Sequence, residues 1–188
     1  MYRSAHPPRF VSSVGQLDEC LRSAKLRRCP HCKRSGTLIG HGYLRGYAER
    51  STELVVRGRR LFCSDRFLGR GCGRTVAILL DHLLPRHTVC TTTLLDFVKA
   101  IVGGASRRAA WQTASSKALG LTSGYRLWRR LQLAQSYLRT KLSSVTDPTE
   151  SAATEPFVQL LEHIQTTFAV ERCPFSSFQS RLQSPLLP

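Results

Sequence analysis

Acidic side chains are scarce in this chain, 12 Asp and Glu against 28 Lys and Arg in 188 residues, which leaves little material for a catalytic centre built from clustered carboxylates. A Walker loop, an HExxH helix and a Ser-His-Asp set are missing as well, so no catalytic centre is read from the sequence. Long apolar runs are also lacking. None approaches the roughly 18 residues that a membrane helix requires, and Met1 to Phe10 has no signal-peptide core. The expected location is the cytoplasm, with no membrane partner.

What is present in excess is positive charge. The formal net charge is +16 and the pI is near 10.5, and a basic surface of that size attracts a polyanion through counterion release. The charge is uneven: 26 of the 28 basic residues but only 7 of the 12 acidic ones precede residue 146. With 41% apolar residues the chain can fill one modest core or two small modules. Modules of about 60 residues bury too little surface to be secure alone, so a staple such as a metal is expected.

Pro7 and Pro8 mark residues 1–10 as a loose arm, and Val14, Leu17, Cys20, Leu21 and Ala24 follow at helical spacing, so 1–26 reads as an arm with a short helix. From Arg27 to Leu84 glycines punctuate short stretches such as Glu53 to Phe62 and Thr75 to Leu80, a β texture that assigns 27–88 to a small ribbon. After Pro85 the period becomes helical over 89–145. Leu94, Leu95, Val98 and Ile101 share a face of Thr92 to Val102, Gly103-Gly104 stops that helix, and Ser106 caps a second one through Ala114. A third helix is predicted from a Thr122 or Ser123 cap to about Leu142. Residues 146–188 read as an acidic linker and a C-terminal helix. The apolar stripe Phe157, Leu160, Leu161, Ile164 and Phe168 either packs on its own domain or docks a partner.

Seven cysteines are an odd set for a disulfide framework, and four of them fall into a metal-like arrangement. Cys29-Pro30-His31-Cys32 has the spacing of a zinc knuckle, in which a tight turn aims two thiolates at one cation. The same tetrapeptide is a redox motif, but no buried strand precedes it and Gly36 interrupts any following helix. Cys63 and Cys72 supply a second pair, so a structural Zn2+ held by Cys29, Cys32, Cys63 and Cys72 is expected. The eight residues between Cys63 and Cys72 are irregular where two are usual, which leaves His41 and Cys90 as alternatives to Cys72. His31 reads as a solvent-facing turn residue, and Cys20 and Cys173 as small apolar side chains.

The three helices fit a helix-turn-helix whose last member enters the major groove of double-stranded DNA. Tyr125, Arg126, Arg129 and Arg130 crowd its first turns, and Arg107 and Arg108 at the start of the second helix suit backbone phosphates. Trp111 and Trp128 read as core anchors. The fold class is α+β: a small β zinc ribbon, a three-helix helix-turn-helix module and a C-terminal helical tail.

CPHC, HGY at 41–43, the RGRRLFC and CGRT segments and SGYRLWRRL together resemble the N-terminal zinc-ribbon and helix-turn-helix region of bacterial insertion-sequence transposases and transposase-like proteins. The resemblance covers about residues 27–142. It implies zinc ligation by the four cysteines, a recognition segment over 123–130 with Ser123 included, and binding to mobile-element DNA in a bacterial, nucleoid-associated setting. Lys33 departs from the glycine that often follows a knuckle, and no carboxylate triad of the transposase kind appears. The first expectation is a non-catalytic accessory, remnant or regulator of a mobile element, with a separate transposase or a second copy of the chain as partner through the C-terminal helix. The alternatives are a strand-transfer subunit completed by another chain, with Asp81 and Asp96 as its candidate acids, and an RNA- or ribosome-binding ribbon.

Overall fold

The computed structural model describes residues 8–49, 51, 53–66, 70–115, 119–148, 150–171 and 173–188. Residues 1–7 of the expected arm lie outside them. The described part of that arm is not loose: Arg9–Val11 form strand β1, and Phe10 is buried. Helix α1 (Val14–Arg22) follows, capped by Ser13, whose side chain accepts from the Gln16 N–H.

Strands β2 (Leu38–Tyr47), β3 (Leu54–Cys63) and β4 (Thr75–Leu80) complete a four-stranded sheet of order β1-β4-β3-β2. The two pairings β2–β3 and β3–β4 are antiparallel, whereas β1 lies parallel to β4. The alternation in β4 is clean, with Val76, Ile78 and Leu80 buried and Thr75, Ala77 and Leu79 half-buried. Its buried set meets Leu17 and Cys20 of α1 and Leu61 and Cys63 of β3 in one small core. Gly58 is required in β3, because a Cβ there would run into the Ile78 carbonyl of β4.

Helices α2 (Thr91–Val102), α3 (Arg107–Ala114) and α4 (Leu121–Leu133) come next. Gly103 closes α2, and the Ser106 side chain caps α3 by accepting from the Ala109 N–H at 3.2 Å. The expected third helix needs correction at both ends. Gly120, not Thr122 or Ser123, is the N-cap, so Ser123 lies inside the first turn. At the other end Ala134 interrupts the helix and α5 (Gln135–Leu142) continues beyond it.

The C-terminal region also differs from a tail. It holds two helices, α6 (Pro156–Thr167) and α7 (Pro174–Leu182), and both contribute to a larger core with α2–α5. Leu160, Leu161, Ile164 and Phe168 are buried there, and the Phe157 ring packs on Trp128 with centroids 4.9 Å apart. Phe175, Phe178, Leu186 and Leu187 are buried as well.

Polar clamps join the two cores. Gln183 accepts from the Phe10 N–H and donates to the Phe10 carbonyl, at 3.0 and 2.9 Å, as a neighbouring strand would. Gln179 donates to the carbonyls of Asp81 and Leu83 and accepts from the Leu186 N–H. The Gln179 bonds are buried and those of Gln183 partly so, and together they satisfy backbone groups that would otherwise be costly to bury. The short strand β1 is therefore held between β4 and the end of the chain.

Candidate functional site

The first cysteine turn is closed by two backbone bonds: Cys29 N–H donates to Arg34 O at 2.8 Å, and Lys33 N–H donates to Cys29 O at 2.8 Å. The second turn repeats them. Cys63 N–H donates to Arg74 O at 2.9 Å, and Gly73 N–H donates to Cys63 O at 3.0 Å. Lys33 and Gly73, each directly after the second cysteine of its pair, share a left-handed backbone, with φ of 62° and 68°. The wider spacing of the second pair therefore leaves the closing bonds of its turn the same as those of the first. The ends of the 64–71 excursion meet because Gly71 lies on the Ser64 backbone, where a Cβ has no room. Arg34 of the first turn donates to the Arg70 carbonyl, tying the excursion back.

These two turns bring four sulfurs together. Cys29 Sγ is 3.8 Å from Cys72 Sγ, Cys32 Sγ is 3.6 Å from Cys63 Sγ, and all four lie within 4.8 Å of one another. Four thiolates at about 2.3 Å from one tetrahedral ion are separated by about 3.8 Å, so the set fits a cation at its centre. The spacing is too long for disulfides, which need about 2.05 Å. Among the described residues this is the one cluster of three or more potential ligands. His41 is outside it, stacked near Phe62, and Cys90 is outside it, donating its N–H to Glu49 Oε2 at 2.8 Å. Cys20 and Cys173 are buried apart from it. His31 does not face solvent alone, since its Nε2 lies 3.4 Å from Thr75 O at the start of β4.

The sulfur environments are unequal. Cys29 is fully buried, and desolvation pushes its thiol up to about 12, while the Arg34 backbone N–H draws Cys32 down to about 7. Cys72, exposed at the edge of the cluster, is raised by partial desolvation, against which the Arg74 N–H acts. The Cys72 N–H donates to Cys63 Sγ at 3.3 Å, and the Thr37 hydroxyl is 3.1 Å from the same sulfur. These N–H groups are placed for thiolates, yet four anions in contact repel each other. A divalent cation removes that conflict.

A left-handed lysine stores strain that glycine avoids. Replacement Lys33→Gly is expected to stabilise the protein by about 1 kcal/mol, read as a shift in the urea midpoint at unchanged slope. Unchanged or lowered stability would mean that Lys33 makes a compensating contact.

Comparison with known protein families, curated proteins and solved structures finds no match. The chemistry therefore rests on the residues themselves.

The other predicted residues lie on α3 and α4. Leu127, Trp128 and Leu131 face inward, while Tyr125, Arg126, Arg129 and Arg130 are exposed and Ser123 is half-buried. Arg107 and Arg108 are exposed in the first turn of α3. Arg130 is distinct, with Nη1 2.9 Å from His87 Nε2. Ion pairs join Arg22 to Glu19, Arg59 to Asp18 and Arg181 to Glu171, and none of these three uses an arginine of α3 or α4. Trp111 and Trp128 are buried, both edge-on to Phe97.

Asp81 and Asp96 are placed differently. Asp81 is buried, its carboxyl raised by desolvation and approached by Ser180 and His82, whereas Asp96 is exposed on α2 and is not among the groups acting on Asp81. No helix among the described residues is long and apolar enough to cross a membrane.

Proposed function

We propose that this protein binds double-stranded DNA, with a structural Zn2+ in the four-cysteine centre stiffening a zinc ribbon and α2–α4 acting as a helix-turn-helix. The observation that carries this reading is the outward face of α4. Tyr125, Arg126 and Arg129 recur there at helical spacing without acidic partners among the ion pairs, while the opposite face is anchored by Leu127, Trp128 and Leu131. Arginines can read guanine bidentately or clamp phosphates. Arg107 and Arg108 add to it: two cations at the positive end of α3 repel the helix dipole, and an approaching phosphate relieves that cost.

The zinc supplies no open position when four sulfurs surround it, so its role is structural. Resemblance to transposase N-terminal regions supports a role as accessory, remnant or regulator of a mobile element in a bacterial cytoplasm. The buried stripe of α6 leaves a transposase or a second copy to dock elsewhere on the surface. Because Asp81 and Asp96 are not joined, nothing favours the strand-transfer reading.

Duplex affinity should fall steeply with salt, with a log–log slope on the order of −5 for five or six phosphate contacts. Arg126→Ala and Arg129→Ala should each cost roughly 1–3 kcal/mol and relax sequence preference. Fluorescence anisotropy on selected and scrambled duplexes checks this. Undiminished binding by the double variant would reject α4 as the recognition helix, and equal affinity for structured RNA would move the reading to RNA.

A further inference from the structure

One face of the sheet is covered by α1, but the other is open. Leu44 of β2 and Ala77 and Leu79 of β4 form the half-buried floor of a groove of about 670 Å³, bounded by the 85–88 turn, the end of α4 and the C-terminal residues. Five arginines line it: Arg45, Arg57, Arg60, Arg86 and Arg130. Tyr47, 59% exposed, stands beside them. No Asp or Glu is among the described lining residues.

Arg57 is structural here. Its guanidinium donates to the carbonyls of Tyr47, Leu84 and His87, so it fixes the edge of β2 against the 84–87 turn. The remaining cations are on the rim. Arg86 occupies the third position of a turn closed by His87 N–H to Leu84 O, after Pro85, with φ of 64°. That is where glycine is cheapest, so an arginine is held over the groove at a conformational cost. Burial first, and then the positive charges of Arg130, Arg57 and Arg86, hold the His87 imidazole below its ordinary value, so it adds no cation of its own to the groove.

We propose that this groove binds a single, unpaired nucleic-acid strand, its phosphates held by Arg45, Arg60, Arg86 and Arg130 and a base stacked on Tyr47. A duplex keeps its bases covered and has no use for an apolar floor. A cationic channel with an exposed aromatic matches the way unpaired strands are held. Arg130 borders both this groove and the outer face of α4, so a strand leaving a duplex bound at α4 reaches the groove directly. The inference rests on the DNA-binding reading for that continuity, but its ligand is different.

The test compares the full-length protein on a blunt DNA duplex, on the same duplex with a short single-stranded extension, and on the extension strand alone. The extended duplex should bind about tenfold or more tightly than the blunt one. Arg60→Ala with Arg86→Ala, or Tyr47→Ala, should collapse that ratio, and Tyr47→Phe should keep it. Thermal melts check that the variants remain folded. If the extension gives no advantage, or the advantage survives the groove variants, the proposal is overturned while duplex reading by α4 still stands. If Arg126→Ala and Arg129→Ala leave blunt-duplex binding intact but the groove variants abolish strand binding, the helix reading falls and the groove stands. Displacement of the strand by thymidine monophosphate at equal affinity would overturn assignment to a strand in favour of a free nucleotide.

Discussion

Chelation of a metal held by the four cysteines is expected, at neutral pH, to unfold the sheet half of the molecule. Cys29 and Cys63 are completely buried members of the core that also contains Leu17, Leu38, Leu61 and Ile78, so the sulfur cluster and that core form together. A structural zinc contributes about 10–16 kcal/mol to folding, comparable with the entire stability of an ordinary domain, about 5–15 kcal/mol. Elemental analysis should give one zinc per chain. Circular dichroism after chelation should show loss of strand signal with much of the helical signal retained, since α2–α7 have a separate core. Cys63→Ser should produce the same state without a chelator, and Cys90→Ser, outside the cluster, should keep the metal. A metal-free preparation whose sheet melts identically in wild type and Cys63→Ser would sink the zinc reading.

The pH dependence follows from the same sulfurs. In the metal-free chain, Cys32 is depressed to about 7, so its ionised form stabilises the fold above the ordinary thiol range and that contribution is lost as pH falls through 7. Cys29 is raised to about 12, so it favours the protonated fold and opposes ionisation as pH rises. The cation must displace the Cys29 proton. Acidification should therefore release metal and destabilise the sheet, and metal binding at neutral pH should release protons, which calorimetry in buffers of different ionisation heat measures.

The four-cysteine cluster was legible because cysteine pairs next to turn signals have few other uses. The second pair was irregular only when residues were counted: its hydrogen bonds are those of the first pair, and the contact of Gly71 with Ser64 that closes the excursion has no local signature. The helices α2 and α3 followed from apolar period, the Gly103-Gly104 stop and the Ser106 cap. The break at Ala134 did not, since no Gly or Pro marks it. Strand β1 was missed because three residues carry no period and its pairing partner lies about seventy positions away. Helix α7 did leave a trace, Pro174 at its start and Phe175, Phe178 and Leu182 at helical spacing, but the sequence reading placed one C-terminal helix, over the 157–168 stripe, and none here. The arginine groove was illegible for a different reason. Its cations come from β2, β3, the 85–88 turn and α4, which only the tertiary fold gathers.

Gly124→Ala is expected to destabilise the protein by roughly 1–3 kcal/mol, although alanine in a helix interior is ordinarily favoured over glycine by about 1 kcal/mol. The reason is the seat of α4 on Trp111: a Cβ at position 124 would lie 2.6 Å from Trp111 Cδ2 and 2.7 Å from Cγ. The indole has little room to retreat. It is 1% exposed, its Nε1 donates to Leu119 O at 3.3 Å, and its ring meets Phe97 edge-on at 5.1 Å. Trp111→Ala should itself cost about 3–5 kcal/mol. The sign of the Gly124 effect is the sharper test. In a Trp111→Ala background every side-chain atom beyond Cβ is gone, so Gly124→Ala should become neutral or stabilising, and a double-mutant cycle in urea should report strong coupling. If Gly124→Ala stabilises the wild-type chain instead, α4 does not sit against Trp111 as described. The direction in which Tyr125, Arg126 and Arg129 face is fixed by that contact, so an α4 pushed outward by the extra methyl group should also lose DNA affinity. That loss, at a residue facing the core, would tie the packing of the glycine to the proposed reading of the duplex.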